Sequence, residues 1–94
     1  MTKVVIKFDR ERPLEIDANV FAESERDVGS SMLEKIASRK LGFLDIRAIL
    51  YHALRREDPD LSVEQAGSFI TGETLPKITK AINQALLDFF GKKS

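Results

Sequence analysis

The sequence predicts an α+β fold, mainly α: an N-terminal β-hairpin followed by about five short-to-medium helices. Three observations carry this. Residues 3–17 alternate in the manner of paired strands, and from residue 19 onward apolar residues recur at three- and four-residue spacing. The helical segments are also separated by caps and stops, among them Gly29, Pro59 and Ser62. With 94 residues, 43% hydrophobic and 32% charged, the chain is expected to form a single domain, residues 1–94. Its hairpin spans about 3–17 and its helical part about 19–90.

The hairpin is read from Lys3–Phe8, rich in β-branched Val4, Val5 and Ile6, and from Pro13–Asp17, with Leu14 and Ile16 on one face. Asp9-Arg10-Glu11-Arg12 is placed in a polar turn, giving a loop of four or five residues. Two strands alone are only marginally stable in water. The hairpin must therefore lie on the helices or pair with a strand of another chain.

The first helix begins at about Asn19, with Val20, Phe21, Ser24 and Val28 inward and Glu23, Glu25 and Asp27 outside. Gly29 ends it, because glycine takes the left-handed conformation without strain. Ser31 and Glu34 read as a capping box opening a second helix, with Met32, Leu33, Ile36 and Ala37 inward and Gly42 as its stop. The third helix carries the stripe Ile46, Ile49, Leu50, Ala53 and Leu54, with Arg55 and Arg56 at the end where the helix dipole favours cations. Pro59 disfavours helical angles at Asp58, so this helix stops by about there.

Ser62 and Gln65 form another capping box and restart a helix to about Thr71, with Val63, Ala66, Phe69 and Ile70 inward and Gly72 as its stop. Thr74 is expected to cap the last helix, Leu75–Phe90, and Pro76 is tolerated in its first turn. Leu75, Ile78, Ile82, Ala85, Leu86 and Phe89 make one stripe on that helix, and Leu87 and Phe90 lie off it. A core this small covers one such stripe readily and a second one poorly. Leu86, Leu87 and Phe90 are therefore the partner-binding candidates, and self-association into a homo-oligomer is expected.

The residues offer little for catalysis. His52 is the only histidine, and no serine or threonine is placed beside it by the sequence, so no catalytic residue is assigned. Asp58, Asp60 and Ser62 imitate the start of a calcium loop, but Val63 and Phe69 stand where that loop needs glycine and glutamate. The chain has no cysteine, and its glycines are scattered rather than gathered into a phosphate-cradling loop, so no metal or cofactor is expected. Fifteen basic residues balance fifteen acidic ones, which argues against nucleic acid as a partner. Arg55 and Arg56 are neutralised at once by Glu57, Asp58 and Asp60. No apolar run approaches the length of a membrane span, so no membrane is expected and the cytoplasm is the default location.

The order of hairpin, glycine-stopped helix and serine-capped helix, followed by DIRAILYHALRREDPDLSVEQAGSFI, resembles small tail assembly chaperones of long-tailed phages and related gene transfer agents. The matching residues are Ile46, Leu50, Ala53, Leu54, Arg55, Arg56, Glu57, Asp58, Pro59, Leu61, Ser62, Glu64 and Gly67. The stretch VFAESERDVG departs from the family by lacking its Leu–Phe–Glu signature. The resemblance implies a non-enzymatic phage or prophage protein of the host cytoplasm. It would bind the tape measure protein while tail tube protein polymerises, and would be absent from the finished virion. The resemblance also implies a frameshifted longer product, for which Gly91-Lys92-Lys93 is the expected slippage address. The alternative is a small phage structural or adaptor protein, or a dimeric helix-turn-helix regulator. For the regulator, Val63–Ile70 offers only Glu64, Gln65 and Ser68 to read DNA.

Overall fold

The computed structural model describes residues 2–90; Met1 and residues 91–94, with the Gly91-Lys92-Lys93 run, lie outside the described residues. Strands β1 (Thr2–Lys7) and β2 (Glu11–Ile16) pair antiparallel, Val4 with Leu14, Val5 with Pro13 and Ile6 with Arg12. Five helices follow: α1 (Ala18–Val28), α2 (Met32–Ser38), α3 (Phe43–Leu54), α4 (Val63–Ser68) and α5 (Leu75–Phe90). The architecture is α+β and mainly α. Ile6, Leu14 and Ile16 are buried together with the inner faces of α3 and α5, so the hairpin lies on its own helices.

The turn is tighter than its polarity suggests. Only Phe8, Asp9 and Arg10 separate the strands, and the Phe8 N–H donates to the Arg10 carbonyl at 3.0 Å, carrying the ladder to the tip. Glu11 and Arg12, read from sequence as turn residues, belong to β2. Arg12 is only 5% exposed. Its Nε and Nη2 donate to the two Asp9 oxygens at 2.8 and 2.9 Å, and Nη1 donates to Asp58 at 3.0 Å. The guanidinium also lies 5.1 Å from the centroid of Phe69, whose ring stacks on Phe8. A buried charge is tolerated when its donors are all directed at partners, and here one arginine joins the hairpin tip to the corner after α3.

The helices follow local chemistry, with five corrections. Asp17 caps α1 by accepting from the Val20 N–H at 3.1 Å, and Gly29 ends it at φ +82°. Gly42, expected to close α2, instead opens α3, its N–H donating to Asp45 Oδ2 at 2.7 Å. The left-handed position that closes α2 is held by Arg39, at φ +61°. Leu33 and Ala37 point outward rather than inward, because Met32 and Ile36 alone face the core on this short helix. The Met32 N–H is taken by Glu25 of α1 at 2.8 Å, so a residue read as solvent-facing ties α1 to α2.

Helix α4 ends at Ser68, short of Thr71, and Thr74 directs its hydroxyl back to the Phe69 carbonyl at 2.6 Å instead of capping α5 forward.

The corner between α3 and α4 behaves as its sequence predicts. All of Ile46, Ile49, Leu50, Ala53 and Leu54 are buried. Beyond Leu54 its carbonyl accepts from the Glu57 and Asp58 N–H groups, both at 3.2 Å, before Pro59 is reached. Ser62 and Gln65 close both halves of the capping box, at 3.0 and 2.9 Å. Ser62→Ala is therefore expected to destabilise the fold by about 1 kcal/mol, the usual loss at an N-cap. Pro59→Ala should change it by less than about 0.5 kcal/mol. Denaturant melts that rank the two in the opposite order would refute this account of the corner.

Candidate functional site

The candidate site is built by the last turns of α5. Ile78, Ala81, Ile82 and Ala85 are buried and Leu75 is half-buried, so the stripe holds through the first three turns. Beyond Ala85 the helix outruns its support. At about 1.5 Å per residue, α5 is about 24 Å long, and among the described residues no other element covers the outer side of its last turn. Leu87 is 64% exposed, Phe89 61% and Phe90 66%. Phe89, placed in the core stripe by periodicity, is thus a surface residue. Its ring meets Phe90 edge to face, with centroids 5.4 Å apart. Such pairing fixes the two rings against each other without burying them.

Of the three partner-binding candidates, Leu87 and Phe90 are exposed, whereas Leu86 is half-buried. Leu86 lines a shallow cleft of about 190 Å³ together with Phe89. The opposite walls are Phe21 and Ala22 of α1 and Leu33 and Ile36 of α2. A second cleft of about 280 Å³ shares Phe21 and Phe89 and extends to Ile16, Ala85 and Asp88. The two phenylalanines therefore stand between two adjoining apolar hollows. The charged residues lining these hollows are all acidic: Glu25 in the first, Asp17 and Asp88 in the second.

Sequence reasoning missed Leu33 as a surface residue, because it lies on the apolar side of its own helix, whereas Phe21, read as inward, is half-buried against the core. The available signal was length: α5 is longer than any other helix here, and a stripe that continues past its partners has nothing to bury it. A further apolar patch was missed as well. Phe43 and Leu44, at the start of α3, are 70% and 64% exposed and border a hollow with Arg47, Gly67 and Ile70. The α3 stripe begins at Ile46, so periodicity did not speak for these two residues.

His52 lies elsewhere and is 4% exposed. Its Nε2–H donates to the Asp27 carboxylate, and Nδ1 stands 3.4 Å from Glu23 Oε1. Both carboxylates belong to α1, so His52 joins α3 to α1, more deeply buried than its sequence context suggests. Arg56, one of the two basic residues closing α3, donates to the α1 cap Asp17 at 2.7 Å. That contact, above all the hydrogen bond from Arg56, holds the Asp17 carboxyl below its ordinary range. These charges therefore stitch α3 to the start of α1.

Among the described residues, no group of three His, Asp or Glu side chains is placed to hold a metal ion, and no helix is long and apolar enough to cross a membrane. Compared with protein-family models, curated proteins and solved structures, the chain matches none.

Proposed function

We propose that this chain is a non-enzymatic phage or prophage tail assembly chaperone that holds an apolar helical segment of the tape measure protein. One observation carries the proposal: the α5 overhang exposes Leu87, Phe89 and Phe90 beside a cleft walled by Phe21, Leu33 and Leu86. A cluster of aromatic and leucine side chains at a cleft mouth is suited to an amphipathic helix laid in a groove. The carboxylate of Glu25 in the cleft lining favours a client helix flanked by lysine or arginine.

The resemblance of the α3–α4 corner supplies the identity of the client. In this proposal the chain acts in the host cytoplasm as a homo-oligomer, stays out of the finished virion, and hands the client to tail tube protein. The adaptor alternative rests on the separate Phe43 and Leu44 patch, since two apolar patches suit a protein that bridges two partners.

Co-expression with the tape measure protein tests the proposal. The double variant Leu87→Ser, Phe90→Ser is expected to lose co-purification while keeping its far-ultraviolet circular dichroism. Undiminished capture of the client would reject the α5 site. Incorporation of the chain into purified particles would favour the adaptor.

A further inference from the structure

A second interaction surface, unrelated to the α5 cleft, follows from the polarity of the hairpin edges. The Phe8-to-Arg10 hydrogen bond makes those two residues a hydrogen-bonded pair. Antiparallel ladders alternate strictly between hydrogen-bonded and open pairs. Counting back along the register, Lys7–Glu11, Val5–Pro13 and Lys3–Glu15 are the open pairs. Pro13, with no amide hydrogen, fits such a position without loss.

The backbone groups of an open pair point away from the partner strand. On β1 these are the N–H and C=O groups of Lys3, Val5 and Lys7, and among the described residues the sheet has no third strand to receive them. On β2 the corresponding outward row is interrupted by Pro13. The two edges therefore differ: that of β2 is blunted, and that of β1 is intact.

The side chains alongside that intact edge also carry a pattern. Lys3 and Lys7 are exposed, Val5 is 62% exposed between them, and no ion pair is formed by either lysine among the described residues. Across the hairpin, β2 sets Glu15, Pro13 and Glu11 opposite them. A strand added on the outer side would meet the same Lys–Val–Lys row. Directly opposed opposite charges are favourable and like charges are not. A second β1 centred on Val5 would set Lys3 against Lys7 of the other copy, and is disfavoured.

From this geometry we infer that the free edge of β1 is a docking site for an extended segment of a partner protein reading acidic–x–apolar–x–acidic. The segment would add antiparallel as a third strand.

The test is an amide-resolved NMR titration of the full chain with two capped synthetic heptapeptides, TETVTET and TKTVTKT. TETVTET is expected to shift the amides of Lys3, Val5 and Lys7, and to bind at least tenfold more tightly than TKTVTKT at low salt. Val5→Pro removes the central outward N–H at a pair that already tolerates proline, and is expected to weaken TETVTET binding at least tenfold. Lys3→Ser with Lys7→Ser leaves the backbone donors in place and should erase the difference between the peptides. Equal binding of both peptides to the unaltered chain would overturn the inference, as would shifts confined to residues of the α1–α5 cleft. So would a dimer, seen by sedimentation, that Val5→Pro dissociates, because the edge would then be occupied by a second copy.

Discussion

Replacing Arg12 with alanine is expected to destabilise the fold by about 2–3 kcal/mol, a large loss for one polar residue. Removing one partner of a buried ion pair typically costs about 3–5 kcal/mol. The figure here is set lower because Asp9 and Asp58 keep access to water that screens them. The substitution also removes the contact over Phe69 and unties the hairpin tip from the α3–α4 corner.

The loss should depend on pH in a definite direction. The hydrogen bond from Arg12, opposed by burial and helped by its charge, lowers the Asp9 carboxyl from 3.8 to about 2. A carboxyl whose folded value is depressed stabilises fully above its ordinary value and loses that contribution as pH falls through the folded one. The gap between the unaltered chain and Arg12→Ala is thus expected to be constant above about pH 5 and to narrow between pH 4 and 2, leaving the part due to Phe69. Asp17, also lowered by its Arg56 partner, is untouched by the substitution, so both proteins should still lose some stability in acid. Urea melts from pH 7 to pH 2 measure this. A gap that widens on acidification would show that Arg12 does not act through Asp9.

The second large effect separates two residues of α5 that periodicity treats alike. Ile82 is fully buried and Phe89 is 61% exposed. Ile82→Ala should cost about 2–5 kcal/mol, the transfer term of the lost methyl groups plus the cavity they leave. Phe89→Ala, although it removes a larger side chain, should cost less than about 1 kcal/mol, since little of that surface leaves water on folding. The same substitution is expected to weaken client capture in the co-expression assay, as a binding surface would and a core position would not. If Phe89→Ala proves as destabilising as Ile82→Ala, α5 is packed to its end and the proposed site is lost.

The features legible in sequence were those decided within a few residues along the chain. The hairpin, the five helices, the Gly29 stop, the Ser62–Gln65 box and the buried stripe of α3 depend on backbone preference, local hydrogen bonds and periodicity. None of them needs a distant partner to be identified. Leu87 and Phe90 were legible for the same reason, because two apolar residues off a helix stripe are visible from spacing alone.

Tertiary structure decided the cases in which a residue's fate depends on what lies across from it. Arg12 reads as a turn residue until Asp58, 46 positions away, is brought to its guanidinium. His52 reads as a lone histidine until Asp27 and Glu23 close around it, 25 and 29 positions back along the chain. Phe89 continues a perfect stripe, yet it is exposed because the elements that bury Ile78 and Ile82 do not extend to the last turn of α5. Periodicity states which side of a helix is apolar. Whether anything lies against that side depends on the length and placement of neighbouring elements, and at the end of α5 that absence of cover leaves the candidate client surface.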